Sequence, residues 1–80
     1  MKTFRERLRE TRKSMNLTQQ QLAIALNTNN SSICDWECGR SQPDLETIAK
    51  IACYFDITTD YLLGLEDETG AKVKLYFNYI

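Results

Sequence analysis

Cys34, Cys38 and Cys53 are the most reactive side chains in this chain of 80 residues, which contains no histidine. A separation of four residues places Cys34 and Cys38 side by side on a helix. A structural zinc site needs four ligands, and no histidine is available to complete such a set. We therefore expect free thiols at these two positions, with no metal or redox site. Cys53 is expected in the core.

Groups that could perform catalysis are also missing from the sequence. No serine or cysteine has a histidine to activate it, no glycine-rich phosphate loop is present, and no carboxylate pair marks a pocket. We therefore expect neither an enzyme nor a bound cofactor. The acidic residues of the second half are expected to cap helices or face solvent, with an acidic partner-binding surface as the alternative. They are Asp44, Glu46, Asp56, Asp60, Glu66, Asp67 and Glu68.

Charge is unevenly distributed along the chain. The formal net charge is −1, which does not favour binding to nucleic acid. Positions 1–16 nevertheless contain six basic and two acidic residues, a local charge of +4, whereas positions 44–68 contain seven acidic residues and one basic residue, a local charge of −6. No apolar run is long enough to span a bilayer, and the N-terminus lacks the apolar region of a signal peptide. These features predict a cytoplasmic protein without membrane contact.

Two capping boxes predict the first two helices. Thr3 with Glu6 opens a helix that starts near the N-terminus, and Thr18 with Gln21 opens a helix over residues 19–26. In each box the hydroxyl of the first residue and the side chain of the fourth satisfy backbone amides that have no partner within the helix. One face of the first helix is predicted to consist of Phe4, Leu8, Thr11, Arg12 and Met15.

Three further helices follow from cap residues and spacing. Asn29 is expected to cap a third helix that runs to about Trp36 and is ended by Gly39. Asp44 is expected to cap a fourth helix, because apolar residues recur after it at intervals of three and four. Thr58 is expected to cap a short fifth helix over residues 59–63. The sequence therefore predicts an all-α domain of five helices over residues 1–65.

The last segment, residues 66–80, has a different pattern. Residues 66–70 are acidic and turn-like, and residues 72–79 alternate apolar and polar side chains as a β-strand does. Two copies of such a strand can pair across a two-fold axis, because an isolated strand leaves backbone amides and carbonyls unpaired. The alternative is that the tail packs on its own helices or belongs to a longer protein. The proposed dimerisation residues are Val73, Leu75, Phe77 and Tyr79.

Over residues 4–64 the sequence resembles the phage-repressor and Cro (XRE-type) helix-turn-helix family. The matching positions are Thr18, Gln19, Leu22, Ala23, Ile33, Trp36, Glu37, Gly39, Pro43, Leu45, Ala52, Leu62, Leu63 and Gly64. Ala23 is the small residue that two steeply crossing helices need where they touch. Asn27 stands where the family usually has glycine, and asparagine also tolerates the left-handed conformation. The resemblance implies a lambda-repressor-like fold and a partly buried ion pair between Arg12 and Glu37.

The resemblance also implies how DNA would be read. In this family the third helix enters the major groove. The base-contacting positions carried over by residue number are Asn29, Asn30, Ser31 and Asp35. Asn30 can contact adenine N6 and N7 at once, and Asp35 can accept a hydrogen bond from cytosine or adenine. Asp35 would also repel phosphates, and no arginine is expected on the exposed face of this helix. Modest affinity per domain is therefore expected.

Phosphate contacts are expected to position the domain on DNA. The candidates are Gln19, Ser32, Arg40, Gln42 and Arg12, the last in competition with its pairing to Glu37. Arg5, Arg7 and Arg9 are expected to form a solvated helix face with the neighbouring glutamates, and steering of DNA is the less favoured role for them.

The function predicted from the sequence is that of a repressor-like transcriptional regulator that binds double-stranded DNA. A homodimer on a palindromic operator is expected, because a two-fold dimer presents its reading helices about one DNA turn apart. The alternative is a protein-interaction module on the same scaffold, such as an antitoxin-like partner, because fold alone does not decide function.

Overall fold

The computed structural model describes residues 2–67 and 69–72. Within these residues the chain forms five α-helices: α1 (Phe4–Ser14), α2 (Gln19–Ala25), α3 (Asn30–Cys38), α4 (Leu45–Phe55) and α5 (Thr59–Leu62). The predicted five-helix, all-α architecture is confirmed. Helix α3 continues two residues beyond the predicted end at Trp36. None of the helices in the described part of the chain is long and apolar enough to cross a membrane.

Side-chain caps start the helices where the sequence predicted them. At α2 to α5 the cap side chain accepts a hydrogen bond from the amide three residues later, and the caps are Thr18, Asn29, Asp44 and Thr58. At α1 the Glu6 carboxylate accepts from both the amide and the hydroxyl of Thr3, at 3.1 and 3.0 Å. Each cap satisfies an amide that has no partner within its helix.

Left-handed residues end the helices and set the turns between them. Asn27, in the turn between α2 and α3, has φ of 57°, which confirms the left-handed conformation expected there. Gly39 ends α3 with φ of 82°, and Asp56 ends α4 with φ of 55°. These residues are a glycine and two short polar side chains, the types that tolerate this region.

A buried apolar cluster draws on all five helices. Its members are Leu8, Leu22, Ala23, Leu26, Ile33, Trp36, Ile51, Ala52, Phe55 and Leu62. Ala23 is fully buried, and its helix α2 packs against α3. Cys53 is exposed, so the expectation that it belongs to the core is wrong. It lies two residues after Ile51, on the side of α4 that faces away from the core.

The described part of the C-terminal segment is a tight turn. Glu66 and Lys72 form an isolated antiparallel bridge, and the Asp67 carboxylate accepts from the amide and hydroxyl of Thr69 and from the amide of Ala71. The strand predicted over residues 72–79 is not confirmed, because beyond Lys72 it lies outside the described residues. The same holds for the dimerisation residues Val73, Leu75, Phe77 and Tyr79.

Candidate nucleic-acid interface

Helix α3 has one buried side and one outward side. Ile33 and Trp36 are buried in the core and fix the inward direction. Since successive residues of a helix are about 100° apart, the opposite side is formed by Ser31, Cys34, Asp35 and Cys38. We call these four residues the outward face of α3. This face is polar, and it is continuous with the surface formed by the first turn of the helix.

Three of the predicted base-contacting residues lie at the start of α3, two in its first turn and one at its N-cap. Asn30 and Ser31 are exposed. Asn29 precedes the helix, and its side-chain oxygen accepts from the Ser32 amide at 2.8 Å. The Asn29 oxygen is therefore used for capping, which leaves its amide nitrogen as the group that can donate to a ligand.

Asp35 is paired with an arginine that follows the helix. Nε of Arg40 donates to Oδ1 of Asp35 at 3.0 Å, and both side chains remain solvent-exposed. This hydrogen bond is the main reason why the pKa of Arg40 is raised. Helix α3 itself contains no arginine, as expected, but Arg40 of the following loop reaches its outward face. Arg40 folds back from the loop and offsets the charge of Asp35 on that face.

Two thiols lie on the same face. The sulfur atoms of Cys34 and Cys38 are 4.0 Å apart, and Nη2 of Arg40 is 3.5 Å from the Cys34 sulfur. The pKa of the Cys34 thiol is raised, mainly because it shares a hydrogen bond with Cys38 and faces the negative charge that Cys38 can carry. The side-by-side placement expected from their spacing is present.

A buried ion pair connects α3 to the rest of the domain. Nε and Nη2 of Arg12 donate to the two carboxylate oxygens of Glu37, at 2.7 and 3.0 Å. Only 10% of the Arg12 side chain and 3% of the Glu37 side chain are exposed. Nη1 of Arg12 donates to the Leu17 carbonyl, and the Gln19 side chain donates to Glu37 at 3.1 Å. Glu37 on α3 is thus bound to residues of both α1 and α2.

The residues predicted to contact phosphate differ in their exposure to solvent. Arg40 and Gln42 are exposed, and Gln19 and Ser32 are half-buried near the starts of α2 and α3. Arg12 is buried, and the three nitrogens of its guanidinium are bound to Glu37 and Leu17. It is therefore placed inside the domain and not where a phosphate could reach it.

Arg7 does not lie on a solvated face as expected. It is 5% exposed, its guanidinium lies 4.0 Å from the centre of the Tyr61 ring, and Nη2 donates to the Glu66 carbonyl. Its Nε and Nη1 atoms are buried and have no hydrogen-bond partner among the described residues. The sequence feature that could have indicated its burial is its position three residues after Phe4 and next to Leu8, at the edge of the apolar side of α1.

Arg5 was also missed as a contact of α3. Its Nη1 donates to the Cys38 carbonyl at 3.3 Å, at the end of the helix where carbonyl groups lack partners. A positive charge is favourable there because the helix dipole is negative at its C-terminal end. Arg5 therefore stabilises the end of α3.

Comparison with known proteins supports a helix-turn-helix arrangement. Residues 8–62 match a protein family described as helix-turn-helix. The chain is 36% identical over 84 residues to the HTH-type transcriptional activator BcrR of Enterococcus faecalis, covering 96% of this chain and 41% of BcrR. It spans between 41% and 62% of the length of three curated relatives, BcrR and the Bacillus subtilis regulators YobD and ImmR.

Solved structures show the same fold. The P22 c2 repressor in complex with synthetic operator 9T superposes with a TM-score of 0.74 at 27% identity, covering 79% of this chain and 96% of that one. The restriction-modification controller protein C.AhdI from Aeromonas hydrophila superposes with a TM-score of 0.69 at 33% identity, covering 75% of this chain and 87% of that one.

Proposed function

Because this chain belongs to the helix-turn-helix family, we propose that it is a transcriptional regulator that binds specific DNA sequences by inserting α3 into the major groove. The observation that carries the proposal is the polar, exposed outward face of a helix whose opposite side is fixed by the core and by Glu37. The P22 c2 repressor, which has the same fold, is bound to operator DNA in its crystal structure.

Base recognition is assigned to the start and the outward face of α3. Asn30 and Ser31 are exposed and can hydrogen-bond to base edges, Asn30 to adenine in two places. Asn29 would contribute through its amide nitrogen, because its oxygen caps the helix. Asp35 would accept from cytosine or adenine, and its pairing with Arg40 reduces its repulsion of nearby phosphates.

Phosphate contacts are assigned to Gln19, Ser32, Arg40 and Gln42. One hydrogen of the Gln19 amide is bound to Glu37, and the second is proposed to donate to a phosphate oxygen. Arg40 supplies the positive charge of this set. We leave Arg12 out because it is buried. These contacts would hold the domain in register without reading sequence.

The proposed regulator acts as a homodimer on a palindromic operator and performs no catalytic step. Two domains are needed because each offers few positive charges to the DNA, so a single copy would bind with modest affinity. The dimer contact expected from Val73, Leu75, Phe77 and Tyr79 is part of this proposal. A cytoplasmic location, which gives access to bacterial DNA, is part of it as well.

Selection of bound sequences from a random DNA pool tests the proposal. A selected site with two-fold symmetry is expected. Asn30→Ala should then relax the preference for one base by about 1–3 kcal/mol, whereas Ser14→Ala at the end of α1 should leave the selected sequence unchanged. An unchanged preference in Asn30→Ala would remove this residue from the reading set.

The salt dependence of DNA binding distinguishes the proposed regulator from the alternative, a protein-interaction module. If several phosphates are bound, DNA affinity must fall steeply as salt concentration rises, because bound counterions are released. Arg40→Ala should weaken binding to all sequences and reduce the salt slope by about 1. A chain that binds no DNA at low salt but binds another protein tightly would instead be a protein-interaction module of the antitoxin type.

A further inference from the structure

The sulfur atoms of Cys34 and Cys38 are placed as two ligands of one metal ion would be. They are 4.0 Å apart on the outward face of α3, where a dissolved ion can reach both. Metal–sulfur bonds of about 2.3 Å set two bound sulfurs between about 3.8 Å apart at a tetrahedral angle and about 4.6 Å apart in a linear arrangement. The observed separation falls within this range.

The same geometry is unsuited to a direct disulfide. Residues four apart on a helix have β-carbons about 5–6 Å apart, whereas a disulfide requires about 3.5–4.5 Å. A bond between Cys34 and Cys38 would therefore distort the last turn of α3. An ion placed between the two sulfurs fills the gap without this distortion.

The number of ligands narrows the choice of ion. Among residues 2–67 and 69–72 no group of three or more histidine, cysteine, aspartate or glutamate side chains could hold a metal. Zinc takes four ligands in structural sites, two more than this pair of thiols supplies. Two thiolates alone suit soft monovalent ions, of which Cu(I) is the biological example.

We propose that Cys34 and Cys38 form a binding site for a soft monovalent cation of the Cu(I) type. Two S–H bonds break, two S–Cu bonds form, and two protons pass to solvent, with no change of oxidation state. The neutral pair of thiols becomes a complex with a charge of −1. The Arg40 guanidinium, 3.5 Å from the Cys34 sulfur, stabilises this added charge.

Binding of the ion would oppose binding of DNA. The two thiols lie on the same outward face as Ser31 and Asp35, the residues that we assign to base recognition. An added negative charge on that face repels phosphates, and the pairing of Arg40 with the complex competes with its contact to DNA. This consequence rests on the proposed function, whereas binding of the ion itself does not.

The ion site is tested without DNA. The full chain is titrated with Cu(I), supplied as its acetonitrile complex in oxygen-free buffer, with a chromophoric Cu(I) chelator as competitor. Native mass spectrometry should show one copper per chain with loss of two protons. Cys34→Ser and Cys38→Ser should each lower the affinity at least about a hundredfold, since one sulfur ligand is lost. Cys53→Ser, which removes the exposed thiol of α4, should bind as the unaltered chain does.

Two results would overturn the site. One is equal copper affinity in the unaltered chain and in Cys38→Ser, with circular dichroism showing that both are folded. The other is a stoichiometry of one copper per two chains, because the ion would then bridge molecules. Cys38→Ala serves as a second variant should the serine form fail to fold.

The proposed effect of Cu(I) on DNA binding is tested in a separate experiment. With an operator obtained by selection, one equivalent of Cu(I) should weaken DNA binding about tenfold or more in the unaltered chain and in Cys53→Ser, and not in the Cys34→Ser, Cys38→Ser double variant. Unchanged DNA affinity with copper bound would overturn the regulatory part. A chain that binds copper but no DNA would leave the ion site standing and contradict the proposed function.

Discussion

A β-carbon on Gly64 would lie 2.3 Å from the backbone carbonyl oxygen of Lys2. Gly64, two residues beyond the end of α5, therefore lies directly against the backbone of the N-terminal segment. Gly64 also has φ of 84°, in the left-handed region. Glycine is required here for two independent reasons, the conformation of the turn and the space beside it.

Gly64→Ala is expected to lower the free energy of unfolding by about 2–4 kcal/mol, because left-handed strain adds to a clash with backbone that must move. Gly70→Ala is the matched control. Gly70 has φ of 87°, and a β-carbon there would meet no atom of the described residues within 4 Å. It should cost only about 1–2 kcal/mol of conformational strain. Urea unfolding measures both values. Equal losses of unfolding free energy in the two variants would show that the close approach of Gly64 to Lys2 has no energetic effect.

Glu37→Ala is expected to lower the free energy of unfolding by about 3–5 kcal/mol, because it leaves the buried charge of Arg12 without its partner. Replacing both residues by methionine should cost less than the single change, since no unpaired charge remains. Glu10→Ala is the control, as Glu10 forms an exposed pair with Lys2 and should contribute at most about 1 kcal/mol. Chemical unfolding of the variants tests this, and similar losses for Glu37→Ala and Glu10→Ala would disprove it.

Arg7→Ala should destabilise the domain by about 2 kcal/mol, through loss of the contact with Tyr61 and of the hydrogen bond to the Glu66 carbonyl. Arg9→Ala, two residues later on the exposed side of α1, should change stability by less than about 0.5 kcal/mol. Thermal unfolding of the two variants side by side makes the comparison. If Arg9→Ala proved the more destabilising of the two, the buried position of Arg7 would be refuted.

The cap of α4 should make stability depend on acid pH. The pKa of Asp44 is lowered, first by its hydrogen bond with the Thr47 side chain and then by the one it accepts from the Thr47 amide. A carboxyl whose folded-state pKa is depressed contributes fully above its unfolded-state pKa, ordinarily 3.8, and loses this contribution as the pH falls through the lower folded value. Asp44→Asn keeps a capping oxygen but cannot titrate.

Thermal midpoints between about pH 2 and pH 6 should therefore fall less steeply for Asp44→Asn than for the unaltered chain. Asp56→Asn is a suitable control, because it replaces an exposed aspartate at the other end of the same helix. Parallel curves for the unaltered chain and Asp44→Asn would show that the cap has no ionic component.

Much of the fold could be predicted because its determinants are local. Cap residues such as Thr18 and Asp44 act within three residues of their own position, and the left-handed turn at Asn27 depends on one side chain. The pairing of Arg12 with Glu37 spans 25 residues and was expected only from the family resemblance. Spacing within a single helix contains no information about a partner so distant.

The positions that could not be predicted depend on how elements pack or on where a loop turns. Arg7 is buried because Tyr61 and Glu66, which are far from it in the sequence, contact its side chain. Arg40 reaches Asp35 because the chain turns back at Gly39. Cys53 is small and often buried in proteins, but its register on α4 turns it outward.

Glu37 belongs to α3 and accepts hydrogen bonds from Arg12 on α1 and from Gln19 on α2. The orientation of α3 is therefore determined before any ligand arrives. If the domain binds DNA as proposed, association need not order this helix, and at α3 the conformational entropy lost on binding is that of side chains such as Asn30. Differences in affinity among DNA sites would then report contacts made in the groove, and the heat capacity change of association would lack the large negative component that accompanies coupled folding.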